Sequence, residues 1–356
     1  DAVSWSNRPL KLQMNGGSIT VGSLDIGHGA NGDVNSTAVG QNALDANGSA
    51  ATALYNTAIG SNALTALNHN DADHNTAVGN NAGLGITSGY QNTFVGSNSG
   101  AATDLGIGNV AVGYSALNAD CVNDNTAIGR SALAVYVGGG ATAIGSGAAD
   151  VAGSQTNLTA IGNNALGAAT SGNSNTAVGA SSLQTVDGTQ NVAIGHLSLG
   201  VDCANDNVAV GYASLVAFTG SNATAVGSGA ADAATSALYL TAVGKNALGA
   251  LPTGAANTAV GYEAFATLDN TETRNVALGA HAGRYCDGTD DSIAIGYGAL
   301  SGVTWSDVTG ATANGTKPSG NFNIAIGNYS LDAITTGASN VAIGYNAGTA
   351  LDTGAE

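Results

Sequence analysis

The sequence predicts an all-β protein, a parallel β-roll or β-solenoid of about 18 coils, and three observations lead to this class. A five-residue phrase, typically Asn-Thr-Ala-Val-Gly or Asn-Thr-Ala-Ile-Gly, recurs through the 356 residues, and most copies lie 16 or 17 residues apart. Glycine supplies 54 residues, about twice its ordinary share, whereas aromatic residues are only 5%. Short coils that bury a narrow core by stacking fit this composition better than a compact domain with large core side chains.

The charge balance excludes several classes of partner. The chain has 7 Lys and Arg residues against 24 Asp and Glu residues, which gives a net charge of −17. So acidic a chain is not expected to bind nucleic acid or an anionic membrane surface. No stretch approaches the roughly 20 apolar residues that span a bilayer, so membrane insertion is not predicted either.

The phrase has eighteen copies, and each is expected to form one short strand that ends at a glycine corner. The closing glycines are Gly40, Gly60, Gly79, Gly96, Gly113, Gly129, Gly145, Gly162, Gly179, Gly195, Gly211, Gly227, Gly244, Gly261, Gly279, Gly296, Gly327 and Gly344. Two variable residues follow, then Ala or Ser in most copies, often with Leu next. This second apolar pair predicts a two-sided roll whose coils stack about 4.8 Å apart.

Alternation within the phrase predicts which side chains face inwards. Thr57 and Ile59 share one face of an extended strand, and Ala58 points the other way. Val or Ile often replaces the Thr, so we expect these two positions to face the interior. The middle position is Ala in every copy except the one with Phe94, so we expect it to pack closely against another chain. Asn opens twelve copies and is expected to hydrogen-bond from coil to coil.

Two regions depart from the repeat and define the predicted organisation. Residues 1–35 are interpreted as an N-terminal cap or joining segment, and residues 36–356 as the β-roll domain. A 31-residue gap between Gly296 and Gly327 indicates an inserted loop at about residues 301–320. The given sequence ends soon after the last coil, so either further sequence follows or the uncapped strand edge docks on a partner, and head-to-tail self-association is one form such docking could take.

Three cysteines lie in the loops that return from one strand to the next. Residues 117–179 match 199–261 at a constant shift of 82 positions, which indicates a duplicated group of five coils and places Cys121 and Cys203 at equivalent sites. Five coils are about 24 Å, too far for a disulfide. We expect both cysteines, and Cys286, to fill small buried sites.

The candidate ligand contacts are aromatic. Five tyrosines directly follow the repeat glycine and could form a broken stripe that stacks on sugar rings; the alternative is that they cover the corner of the neighbouring coil. Trp305 in the predicted insertion is the other candidate, because functional residues concentrate in loops on a rigid scaffold. The five tyrosines are Tyr114, Tyr212, Tyr262, Tyr297 and Tyr345.

No catalytic residue, cofactor site or metal site is predicted, because no set of nucleophile, base and orienting group is apparent. His69, Asp71, Asp73 and His74 could bind a divalent metal, but a solvated polar loop is the preferred interpretation. Acidic residues cluster near the cysteines. They could bind calcium, and the alternative interpretation is an acidic edge that only makes the protein soluble. They are Asp120, Asp124, Asp202, Asp206, Asp287, Asp290 and Asp291.

A column of threonines raises the further alternative of an ice-binding protein. With the threonines assigned to the interior, and with no Thr two positions later, this alternative is not favoured. The threonines concerned are Thr57, Thr76, Thr126, Thr142, Thr159 and Thr176.

The repeated phrase with its following Ala-Leu, as at Ala43-Leu44 and Ala165-Leu166, resembles the head repeats of trimeric autotransporter adhesins and related repeats in bacteriophage tail fibres. The resemblance covers about residues 36–350. It implies a left-handed parallel β-roll, a homotrimer, and a surface that binds a host receptor or glycan. The expected function is therefore a non-catalytic attachment segment that is extracellular, on a cell surface or on a virion. The alternative is a structural filament without a specific ligand.

Overall fold

A computed structural model describes most of the chain. The described residues are 19–21, 24–27, 35–45, 53–151, 153–185, 187–268, 271–302, 318–349, 351 and 353. Trp305, most of the predicted insertion and most of the predicted N-terminal segment lie outside them. Within these ranges the chain forms strands and turns, and it forms no helix long and apolar enough to cross a membrane.

The chain divides into two compact units, Asp1–Gly139 and Gly140–Glu356. Unit 1 contains β1 (Ile19–Val21), β2 (Leu24–Gly27), β3 (Thr37–Val39), β4 (Thr57–Ile59), β5 (Thr76–Val78), β6 (Thr93–Val95), β7 (Val110–Val112) and β8 (Thr126–Ile128). Unit 2 contains β9 (Thr142–Ile144), β10 (Thr159–Ile161), β11 (Thr176–Val178), β12 (Val192–Ile194), β13 (Val208–Val210), β14 (Thr224–Val226), β15 (Thr241–Val243), β16 (Thr258–Val260), β17 (Val276–Leu278), β18 (Ile293–Ile295), β19 (Ile324–Ile326) and β20 (Val341–Ile343).

Each copy of the repeated phrase forms one strand of a parallel solenoid. From β3 to β8, and again from β9 to β20, each strand pairs in parallel with the next, phrase against phrase. The antiparallel pairings among the described strands are those of β1 with β2 and β2 with β3. The all-β class and the β-solenoid predicted from the repeat are therefore confirmed in both units.

The prediction of which strand residues face inwards is wrong. In β10 the middle residue Ala160 is fully buried within its own chain, Thr159 is half-buried, and Ile161 is 37% exposed. The same pattern holds in the other coils. The middle residue is small because it points into a narrow interior, not because a second chain packs on it. The outer positions accept Thr, Val or Ile because β-branched side chains of either polarity suit an outward sheet surface.

The interior is filled from the opposite side of the coil by large apolar side chains, usually the Leu four residues after the glycine and, in several coils, a second residue three positions later, such as Leu67. Leu64, Leu117 and Leu166 are fully buried, with φ near 51°. That left-handed conformation is costly for leucine, and burial of the side chain offsets the cost. The backbone N–H of Leu64 also donates to the carbonyl of Ala82 in the next coil at 3.0 Å. The second apolar pair of the repeat therefore lies in a stack of turns in the described coils.

Phe94 shows how fixed the interior volume is. It is the single exception to Ala at the middle position, and it is fully buried. The leucine position is glycine in its own coil, at Gly100, and in the preceding coil, at Gly83. A side chain added at Gly100 would collide with the Phe94 ring, and one added at Gly83 would meet both Leu64 and the Phe94 ring. One phenylalanine thus takes the space that two leucines occupy elsewhere.

A buried asparagine before the strand connects most coils to a neighbouring coil. The Oδ1 of Asn75 accepts the backbone N–H of Asn92 at 3.1 Å, and its Nδ2 donates to the carbonyl of Gly89 at 2.9 Å. The Oδ1 of Asn92 accepts from the N–H of Asn109 at 2.9 Å. These bonds satisfy polar backbone groups that the narrow interior shields from water. The predicted coil-to-coil hydrogen bonding by asparagine is confirmed.

Replacing Phe94 by Ala is expected to lower the free energy of unfolding by about 3–5 kcal/mol, because a cavity replaces the ring. Adding Gly83→Leu and Gly100→Leu to that variant should recover most of the loss. Gly100→Leu alone should destabilise the protein by about 1–3 kcal/mol, because Phe94 already fills the site. Thermal and urea unfolding of the four proteins measure this. Failure of the triple variant to recover would contradict the described interior.

Candidate functional site

The outward side of the strands is one candidate surface, called here the strand face: the first and third residues of β3–β8 in unit 1 and of β9–β20 in unit 2. The third position is always Val, Ile or Leu. These side chains remain substantially exposed, at 41% for Ile194 and 48% for Leu278. A single chain therefore presents a continuous column of apolar side chains on each unit. Such patches in soluble proteins commonly mark interaction surfaces.

The structure separates the five predicted tyrosines into two groups. Tyr114 in unit 1 and Tyr212 in unit 2 are 57% and 59% exposed. Tyr212 stacks on His196, with ring centroids 5.7 Å apart. Tyr262, Tyr297 and Tyr345 instead belong to a single cluster in unit 2.

That cluster, called here the tyrosine ladder, consists of Tyr262, His281, Tyr297, Tyr329 and Tyr345. Each ring meets the next edge to face. The successive centroid distances are 5.2, 5.6, 5.4 and 6.3 Å. Edge-to-face contacts at these distances are the favoured geometry of aromatic pairs. The ladder thus joins five successive coils through their side chains.

Exposed and buried rings alternate along the ladder. Tyr262 and Tyr345 are exposed and Tyr297 is half-buried, whereas His281 and Tyr329 are buried. The alternation arises because the first three directly follow the repeat glycine, whereas His281 and Tyr329 lie one residue later. Sequence reasoning considered only the first of these positions and so missed His281 and Tyr329. The signal was present, since an aromatic residue occurs at one position or the other in each of the last five coils.

A largely buried ion pair lies at one end of the ladder. The Nη2 of Arg284 is 2.6 Å from the Oε2 of Glu263, and the Nδ1 of His281 is 3.5 Å from the same oxygen. The hydrogen bond with the Glu263 carboxylate raises the pKa of the Tyr262 hydroxyl. Burial, aided by the Arg284 charge, lowers the pKa of His281, which keeps the imidazole neutral at pH 7. Arg284 also lies over the ring of Tyr285, 4.9 Å from its centroid.

The described flanks of the predicted insertion adjoin the ladder. A side chain added at Gly302 would meet Pro318, and its next neighbour would be Tyr285. Tyr285 in turn packs against the buried Tyr329 of the ladder. The predicted contact Trp305 itself lies outside the described residues.

The acidic residues of the return loops bind the backbone of the preceding coil. The Oδ1 of Asp120 accepts the N–H of Asp104 at 3.0 Å, and the Oδ1 of Asp202 accepts the N–H of Asp187 at 2.9 Å. Asp291 forms an ion pair with Arg274 at 2.6 Å. In the described part of the chain no three His, Cys, Asp or Glu side chains gather into a set that could hold a metal ion. These carboxylates therefore have a structural role in joining coils.

The segment with His69, Asp71, Asp73 and His74 is an exposed loop. The Nδ1 of His69 lies 3.6 Å from the Oδ2 of Asp71, whereas His74 stacks on Tyr55 with centroids 5.1 Å apart. The two histidines thus have different partners.

The cysteines are free and buried, as predicted. Burial raises the pKa of each thiol, to about 12 for Cys203, so the thiols stay protonated at neutral pH. The Sγ of Cys121 lies 3.7 Å from the Thr103 hydroxyl. These sites have the character of small packing positions, not of reactive thiols.

Comparison with protein-family models, with curated proteins and with solved structures finds no match to this chain. The resemblance to adhesin and tail-fibre repeats therefore rests on the repeated phrase alone.

Asp332 lies next to the ladder, in the coil of Tyr329. Its carboxyl group provides a test of how deeply the side chains of this coil are buried. It is 4% exposed, its Oδ1 has no hydrogen-bond partner, and burial raises its pKa to about 6. A pKa raised by folding contributes stability below the unfolded value near 4, and this stability is lost as the pH rises through about 6. We expect Asp332→Asn to remove that loss and to raise the free energy of unfolding at pH 8 by on the order of 2–3 kcal/mol.

Urea unfolding at pH 4, 6 and 8 measures the effect. Asp71→Asn, which removes a carboxylate on an exposed side chain, is the matched control. An unchanged pH dependence in Asp332→Asn would show that the carboxyl group is not buried.

Proposed function

We propose that this protein is a non-catalytic segment of an extracellular fibre or adhesin, in which three copies associate through their strand faces and attach to a surface or receptor. The observation that supports it is the outward column of Val, Ile and Leu on the strand face. Three further parts of the proposal rest on the resemblance of the repeated phrase to adhesin head and phage tail-fibre repeats. They are the trimeric state, the left-handed coil, and the location outside the cell or on a virion.

The strand face suits a second copy of the same chain better than an unrelated partner. Its side chains repeat at the strand spacing of about 4.8 Å, so two such faces match along their whole length once one coil is in register. In β10 and β12 the two outward residues are Thr159 with Ile161 and Val192 with Ile194, which contain no charge. Covering them removes apolar surface from water without burying an unpaired ion.

A rigid array of this kind serves attachment by multivalency. Sites that recur on three copies raise the effective concentration of each site for a surface with many receptors, so weak individual contacts add up. The proposal needs no catalytic residue and no cofactor. The competing arrangement is a filament in which copies join head to tail, and uniform particle length in electron micrographs would exclude it.

The second candidate function is ice binding, and the outward position of the threonines favours it. In unit 1 the strands β3 to β6 all begin with Thr, whose side chains lie on the strand face. A flat, regularly spaced array of Thr with an apolar neighbour two residues later can order water. Ice binding and trimer formation would use the same face, so they exclude each other.

Lysine at the strand face is expected to prevent association. The wild-type protein should have three times the chain mass of 34.2 kDa in sedimentation equilibrium. Ile194→Lys combined with Val226→Lys should give a monomer, because two charges per chain would have to be buried in the contact. Leu238→Lys combined with Val151→Lys is the matched control, since these side chains are similarly exposed but lie off the strand face. A monomeric wild type at micromolar concentration would contradict the proposal.

Thermal hysteresis separates the two functions. The proposed trimer predicts none in the wild-type protein, because the threonines are covered. Hysteresis that disappears in a Thr57→Lys, Thr76→Lys variant would instead support ice binding by an open strand face.

A further inference from the structure

We propose that the tyrosine ladder is a binding site for a neutral, extended, β-linked polysaccharide, with the exposed Tyr262 and Tyr345 and the half-buried Tyr297 each at every second sugar. This inference deepens the proposed attachment function by naming the ligand class. It needs only the coils of unit 2 that contain the ladder.

The exposed rings lie on alternate coils. Tyr262, Tyr297 and Tyr345 follow the glycines that close β16, β18 and β20, and these strands are joined in register through β17 and β19. Neighbouring exposed rings are therefore two coils apart, roughly 10 Å at the strand spacing. This is the length of the disaccharide unit in an extended β-linked polysaccharide, whose successive rings turn over by about half a revolution. Every second sugar would present the same face to a ring.

The residues between the exposed rings leave room for the intervening sugars. At the position that follows the glycine, the coil between Tyr262 and Tyr297 has Ala280, and the coil between Tyr297 and Tyr345 has Asn328. Asn328 is exposed, and its Oδ1 accepts the N–H of Tyr297 at 3.0 Å. In the proposed complex the amide Nδ2 of Asn328 would donate to a sugar hydroxyl. Aromatic faces with a few fixed polar groups are the usual composition of small-molecule sites.

The buried members of the ladder fix the exposed rings before a ligand arrives. His281 lies between Tyr262 and Tyr297, and Tyr329 lies between Tyr297 and Tyr345, with interplanar angles from 76° to 89°. A ring already held by its neighbours loses little freedom on binding, which favours affinity. Among the described residues of unit 1 no ring packs edge to face on Tyr114, so its exposure alone does not make a comparable platform.

The charges favour a neutral polysaccharide. The net charge of −17 opposes a polyanion. Arg284, the cation beside the ladder, is largely buried against Glu263 and Tyr285. The tyrosine rings and the exposed Asn328 amide carry no charge, and such groups suit uncharged sugars.

The test uses the full chain and defined oligosaccharides. Cello- and chito-oligosaccharides of two to six sugars are titrated calorimetrically, with maltohexaose as the α-linked comparison. Three rings at every second sugar need five sugars, so affinity for at least one β-linked series should rise up to about five residues and then level off. Maltohexaose, which curls, should bind at least 10-fold more weakly than the β-linked hexamer.

Variants locate the site. Each of Tyr262→Ala, Tyr297→Ala and Tyr345→Ala should weaken binding of the hexamer by about 3- to 10-fold, the effect of one aromatic stacking contact. The corresponding Tyr→Phe variants should bind the hexamer as the wild type does, because phenylalanine keeps the ring. Tyr114→Ala combined with Tyr212→Ala, which removes equally exposed rings outside the ladder, should bind as the wild type does.

No binding by either β-linked series would overturn the inference, as would equal loss in the Tyr114, Tyr212 control. Sedimentation of the same samples separates this failure from failure of the proposed function. A trimer that binds no oligosaccharide refutes only the ligand, whereas a monomer that binds them with the expected length dependence refutes only the strand-face association.

Discussion

The narrow interior of each coil is the constraint from which the other features follow. Stacking of the coils in register at the strand spacing leaves room for the small middle strand residue, for large apolar side chains from the turn side and, in most coils, for a buried asparagine. Asn175, Ala177 and Leu183 fill one coil of unit 2 in this way, and all three are fully buried. Where the leucine is missing at Gly283, the ring of Phe265 from the preceding coil takes its space. Different residues thus supply the side chains that fill the interior.

Because the interior is so small, most side chains that differ between coils point outwards. A position in the repeat becomes a column along the stack, and any property placed at that position is repeated at the coil spacing. The strand face is one such column and the tyrosine ladder is another. Both candidate surfaces therefore arise from one geometric fact, the register of coil upon coil. Their lengths are set by how many successive coils have suitable residues there.

The repeat made the fold class, the strand positions and the asparagine hydrogen bonds predictable from the sequence. The period alone places Thr159 beside Thr176 in adjacent strands, as observed. The inward direction was not predictable, because Ala160 would be small both in a tight interior and in a tight contact between chains. The turn at the leucines was not predictable for another reason. The backbone there is left-handed, with φ of 51° at Leu166, and this conformation is unusual for leucine and carries no sequence signal.

The candidate site was predictable in part. The position after the glycine indicated Tyr262, Tyr297 and Tyr345, which the structure brings into one cluster, but the rings that join them come from the next position. Because His281 is not a tyrosine, a column of tyrosines in the sequence does not include it. Its part in the ladder depends on contacts with rings 19 residues earlier and 16 residues later in the sequence. Contacts between columns need the stacking geometry, and only the fold supplies it.

Thiol labelling of two adjacent strand positions tests the central claim most directly. Ala160→Cys should not react with a maleimide at any protein concentration, because its side chain lies in the coil interior. Ile161→Cys should react rapidly in dilute solution and more slowly as the concentration rises and a second copy covers it. The three native cysteines are buried and should not react with the maleimide in either variant. Rapid labelling of Ala160→Cys with protection of Ile161→Cys at every concentration would contradict the account.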